Sequence, residues 1–175
     1  DYTTSGSTYF DGFVSHRETY IGSGTITPTV TPTPLSSSGT VSIPIAAGND
    51  DVEESNTGWM YLDSSDLELV ADPDPQQVGL RFAGVNIPQG ATILNAYVQF
   101  TVDETSSAAT SLTVQAEAAD NSANFSSSGK VSIRPRTSAS IIWEPVAWST
   151  LDGSGENQRT PDLSAVIQEV VNRQG

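Results

Sequence analysis

Four carboxylates within five residues, Asp50, Asp51, Glu53 and Glu54, form the densest group of oxygen donors in the chain, with Asn49 beside them. Hard cations take several oxygen ligands, so this stretch is read as a loop able to hold a structural calcium ion. Its spacing is not that of an EF-hand, and the same acids can instead keep an edge strand soluble. Asp152-Gly153-Ser154-Gly155-Glu156-Asn157 is a second loop of this kind, better read as an ordinary Gly-rich turn. Catalytic chemistry is poorly supplied. There is no cysteine, and the single histidine, His16, lies far from any recognisable nucleophile turn, which leaves no thiol catalyst, no Cys-type zinc site and no Ser-His-Asp triad. Glu53, Glu54, Glu117 and Glu144 offer the carboxylates a glycoside hydrolase or lyase needs, but their spacing pairs none of them, and they read as solvated acids. No enzyme is expected.

Binding chemistry is better represented. Trp59 and Trp148 are flanked by polar residues and suit a sugar-stacking platform, because a pyranose face presents apolar C–H groups to an aromatic ring. Trp143, after Ile141 and Ile142, reads as core. Lys130, Arg134 and Arg136 are the only basic patch and, with Arg81, can pair with sugar carboxylates. Asn124-Phe125-Ser126 is the only N-glycosylation sequon, and Thr25, Thr27, Thr29, Thr31 and Thr33, each beside Pro, Ile or Val, are candidates for O-linked sugar.

The elements that must position these groups follow from composition and pattern. A chain of 175 residues accommodates one domain with appendages. Its net charge of -14 repels nucleic acid and an anionic bilayer, and no apolar run approaches the roughly 18 residues of a membrane span. Low charge density, acidity and abundant Ser and Thr suit an extracellular or cell-surface protein. From Thr19 to Asn49 there is no charged residue, whereas Asp50 to Asp74 holds nine acids and no base. Three parts are expected: an aromatic N-terminal segment at 1–24, an extended Thr/Pro/Ser-rich spacer at 25–40, and a β-sandwich domain at 41–175.

Within that domain, short apolar or alternating runs predict strands at Val41–Ala46, Gly58–Leu62, Leu67–Val70, Gln77–Phe82, Ile93–Val102, Leu112–Ala118 and Ser140–Trp143, with a turn at Ile87–Gly90. In the longest of these, Leu94, Ala96, Val98, Phe100 and Val102 share the face expected to be buried. Leu163, Val166, Ile167, Val170 and Val171 recur at helical spacing within Pro161–Arg173, with Asp162 or Thr160 as the N-cap.

The runs Gly79-Leu80-Arg81-Phe82, Val85-Asn86-Ile87-Pro88-Gln89-Gly90-Ala91-Thr92-Ile93 and Ala96-Tyr97-Val98-Gln99-Phe100 together resemble the DNRLRE-type extracellular β-sandwich modules. Gly48 to Glu54, Ala116 to Asn121 and the Thr160 to Arg173 stretch extend the likeness over roughly Val41 to Gly175. The resemblance implies a mainly β, jelly-roll-like antiparallel sandwich with one C-terminal helix, carbohydrate-binding-module-like and non-catalytic, some relatives of which bind polyanionic polysaccharide such as alginate. It also implies further closing strands after the helix, so an open edge is expected here. Either polysaccharide or neighbouring copies of the same protein are the expected partners. The copies would join by exchange of an extended segment such as Tyr9–Ile21 into a surface filament.

Overall fold

A computed structural model describes residues 38–69, 71–72 and 74–174. The N-terminal aromatic segment and the spacer threonines 25, 27, 29, 31 and 33 lie outside the described residues.

The acid-rich stretch is a strand. β1 (Asp51–Ser55) lies inside a four-stranded antiparallel sheet with β2 (Met60–Tyr61), β3 (Ala71–Asp72) and β4 (Asp74–Leu80), in the order β2-β1-β4-β3. The loop expected at Asp50–Glu54 is therefore corrected. Residues 51–55 pair along their whole length with β4, Asp51 opposite Leu80 and Ser55 opposite Gln76. Val52 points into a small core with Met60 and Phe125, closed by Leu62 and Val131. Gly79, opposite Val52, lets the Phe125 ring lie directly on β4, since a Cβ there would stand 2.6 Å from Phe125 Cζ.

A second, two-stranded sheet pairs β5 (Leu112–Val114) with β6 (Ile141–Trp143), Leu112 opposite Trp143. The single α-helix among the described residues, α1 (Ser164–Val171), stands where the apolar spacing predicts it. Leu163, just ahead of it, joins Ile93 and Ala96 in a second core, against which Val98, Val114, Ile141, Ile167 and Val171 pack. Leu163 occupies the N-cap position, which corrects both expected caps. Asp162 still serves the helix start: its carboxylate accepts the Ser164 amide (2.9 Å), the Ser164 hydroxyl (2.8 Å) and the Ala96 amide (3.1 Å). Burial opposes ionisation of Asp162, and those three hydrogen bonds outweigh it, holding the carboxyl below its usual range.

Ile93–Val102 runs antiparallel to 152–163 without forming a regular strand. Backbone bonds join Leu163 N to Ala96 O, Thr160 N to Val98 O, Phe100 N to Gln158 O and Val102 N to Gly153 O. Other amides of this half are taken by side chains instead: Ile93 donates to Gln168 Oε1, Ala96 to Asp162 Oδ1, Val98 to Thr160 Oγ1 and Ala116 to Thr137 Oγ1. Side-chain acceptors replace a neighbouring strand's carbonyls, which shortens the ladders. The alternation also slips by one residue. Ile93 is buried and both Leu94 and Asn95 are exposed, so inward positions resume at Ala96 and continue at Val102. The Ile87–Gly90 turn is present, with Gly90 at φ +74° and Ala91 N bonded to Pro88 O. No strand forms at Val41–Ala46 or at 67–69.

The described residues thus form a mixed arrangement of two small antiparallel sheets and one C-terminal helix rather than a clear mainly-β jelly-roll sandwich. Among them no helix is long and apolar enough to cross a membrane.

Candidate functional site

The β1–β2 hairpin places aromatic rings at the surface on a fixed backbone. Ser55 N donates to Trp59 O (2.9 Å), Trp59 N to Ser55 Oγ (3.1 Å) and Gly58 N to Ser55 O (2.9 Å). Gly58 adopts φ +79°, the left-handed conformation that tightens the turn. On the outgoing arm Met60 is buried while Trp59 and Tyr61, either side of it, are 66% and 48% exposed. Residues two apart on an extended arm share a face, so Trp59 and Tyr61 lie on the same side of the arm, about 6.6 Å apart along the chain.

Register fixes what else shares that face. Tyr61 lies opposite Glu53, and Glu53 lies opposite Val78. The Glu53 carboxylate, in a residue only 3% exposed, accepts the Glu68 amide (2.7 Å) and Gln76 Nε2 (2.7 Å), and Gln76 Nε2 also reaches Glu68 O (2.6 Å). The Glu68 carboxyl is hydrogen-bonded to Glu53. That bond, burial and the Glu53 charge push Glu68 up to about 7. Burial, with the charges of Asp50 and Glu53, also raises Asp51. The shallow cleft alongside, lined by Asp51, Tyr61, Leu62, Ser64 and Leu67, has no room for a water molecule.

The opposite face of the hairpin carries Glu54, opposite Met60. Glu54 is 2% exposed and accepts the Ser132 amide (2.7 Å) and hydroxyl (2.6 Å). Lys130 lies over Gly58 on this side. Asp50 is paired with Arg81, which also donates to Ser122 O. The four acids read as one calcium-binding loop are therefore dispersed: Glu53 and Glu54 point to opposite faces, and Asp50, Glu53 and Glu54 each hold internal partners. Among the described residues no group of three or more His, Cys, Asp or Glu side chains is arranged to hold a metal.

The proposed sugar contacts are dispersed as well. Trp148 is half-buried in a cluster with Phe100 (6.1 Å) and Trp143 (6.2 Å), and its indole N–H donates to Asn157 O. Arg134 is an internal strut: it pairs with Glu117 (2.8 Å), donates to Ala123 O and Asn124 O, and lies 4.4 Å over the Phe125 ring. Arg136 is exposed and bonded to Gln77. Asn124 is exposed, as a sequon requires. Among the described candidates only Trp59 is an exposed ring that shares its face with a second exposed aromatic, Tyr61. Tyr61, Glu68 and Gln76 were missed; the polar–apolar alternation Trp59-Met60-Tyr61 carried a signal for Tyr61, and nothing local marked the other two.

Comparisons of the chain with protein-family models, with characterised proteins and with solved structures found no match.

Proposed function

We propose that this chain is a non-catalytic extracellular module that binds polysaccharide through the Trp59–Tyr61 face of the β1–β2 hairpin, on a scaffold related to the jelly-roll sandwiches it resembles. The observation that carries this reading is Trp59: a large ring left 66% exposed on a backbone fixed by three hydrogen bonds. A rigid exposed aromatic loses little conformational entropy when a ligand covers it, and so acts as an anchor. Tyr61 beside it extends the platform. The non-catalytic part is supported by the acids, since Glu53 and Glu68 are bonded to each other beside a cleft too small for water, and Glu117 is held by Arg134. Affinity electrophoresis of the whole chain through gels containing soluble polysaccharides is the test. Retention that Trp59→Ala abolishes supports the reading, and migration unaffected by every polysaccharide refutes it.

One observation favours a second reading, a glycosylated surface-filament subunit built by segment exchange. An apolar cavity of about 110 Å³ is lined by Val41, Ile43, Phe82, Tyr97, Leu163 and Ile167 among others, immediately after the spacer in sequence. Under this reading the full chain forms large species, and deletion of residues 1–24 returns it to a monomer.

A further inference from the structure

We infer that the polysaccharide taken by the Trp59–Tyr61 face is an uncharged chain and not a polyuronate. The inference rests on the reading of that face as glycan-binding and adds the class of ligand. Charge is segregated across the hairpin. On the aromatic side lie Glu53, opposite Tyr61, its partner Glu68, and Asp51, with Asp63 and Asp66 on the loop that follows β2. Every described cation is placed elsewhere. Lys130 lies over Gly58 beside Glu54, Arg136 is bonded to Gln77, which pairs with Glu54, and Arg81 is bound to Asp50. Arg134 is held by Glu117 and Phe125, Arg159 by Gln99 and the Tyr97 ring, and Arg173 by Asp120.

Recognition of a uronate needs an ammonium or guanidinium near the stacked ring, because a carboxylate brought up to uncompensated acids is repelled. Among the described residues this face has none to offer. An uncharged sugar makes the opposite demand. Its hydroxyls are donors as well as acceptors, and carboxylates at the rim of a stacking platform accept them without requiring a counter-charge. The chain's net charge of -14 works in the same direction at longer range.

Salt separates the two classes, since ionic attraction is screened and ring stacking is not. The full chain is run through gels containing hydroxyethylcellulose, galactomannan or mixed-linkage β-glucan, and through alginate and polygalacturonate, at low and at high salt. We expect retention by at least one uncharged polysaccharide, unchanged by salt, with at least about tenfold weaker affinity in Trp59→Ala and a smaller loss in Tyr61→Ala. Thermal melts of both variants close to the parent's establish that the ring and not the fold was lost. Retention by alginate or polygalacturonate that weakens with salt and disappears in Lys130→Ala overturns this inference and leaves the binding-module reading standing. Absence of retention by all five polysaccharides overturns both.

Discussion

The four-stranded sheet and the helical half bury comparable stretches of chain with opposite materials. Around β1 the interior includes Asp50, Glu53 and Glu54, whereas around α1 it is Ile93, Ala96, Leu163 and Val166. Carboxylates survive inside because each has donors: Arg81 for Asp50, the Glu68 amide and Gln76 for Glu53, Ser132 for Glu54. Among the described residues no buried side-chain nitrogen or oxygen lacks a partner. A buried ion pair adds little over an apolar pair of the same shape, but loss of one member leaves a desolvated charge. The sheet is therefore specified by pairwise chemistry and the helical half by volume.

Breaking a partner in the sheet should give the largest effect. Arg81→Ala strands the buried Asp50 and should destabilise the protein by about 3–5 kcal/mol, read as a shift in the urea midpoint. A loss below about 1 kcal/mol would remove the distinction between the halves. In the helical half, Leu163→Ala should cost about 2–4 kcal/mol through its cavity, whereas Leu163→Met, which keeps the volume, should cost under about 1.5 kcal/mol. Equal losses from both changes would show that volume does not govern this core. Gly79→Ala forces a methyl against Phe125 and Val131 and should destabilise by about 1–3 kcal/mol.

The smallest effect is a slope with pH. Glu68 holds its proton more tightly in the folded chain, with its value moved from 4.5 to about 7, chiefly by the hydrogen bond to Glu53. The folded state then binds more protons than the unfolded one across that window. Its stabilising contribution is full below about 4.5 and is lost as pH rises through about 7. Melting temperature should fall between those limits, and Glu68→Gln should flatten the fall. A parent protein whose melting temperature climbs steadily from pH 5 to about pH 8, with the variant unchanged from it, contradicts the raised Glu68.

The same contrast explains what could be read from the sequence. Leu163, Val166, Ile167, Val170 and Val171 announce their helix because an apolar stripe is a local, periodic signal. Pro88-Gln89-Gly90 announces its turn through backbone preference alone. β1 gives no such signal: three of its five residues are acids, and the partners of Glu53 and Glu54 arrive from Glu68, Gln76 and Ser132, between 15 and 78 residues away. Trp148 and Trp59 look alike in their polar surroundings, yet Phe100 and Trp143 converge on the first, whereas the second is left 66% exposed. Arg134, read as a ligand contact, is claimed by Glu117 and Phe125 in the same way. The sandwich expected from the strand pattern is reduced to two small sheets because long runs such as Ile93–Val102 satisfy several amides with side chains.

That substitution bears on how the protein behaves in a crowd. Amyloid and other open-ended aggregates grow where an extended segment presents a row of unclaimed amides to a passing chain. At Ile93, Ala96, Val98 and Ala116 the donors are occupied by Gln168, Asp162, Thr160 and Thr137, each of which acts as a gatekeeper. A chain arriving from outside has no template to copy there, and among the described strands such growth would begin at the outer strands β2 and β3 or at the edges of the β5–β6 pair.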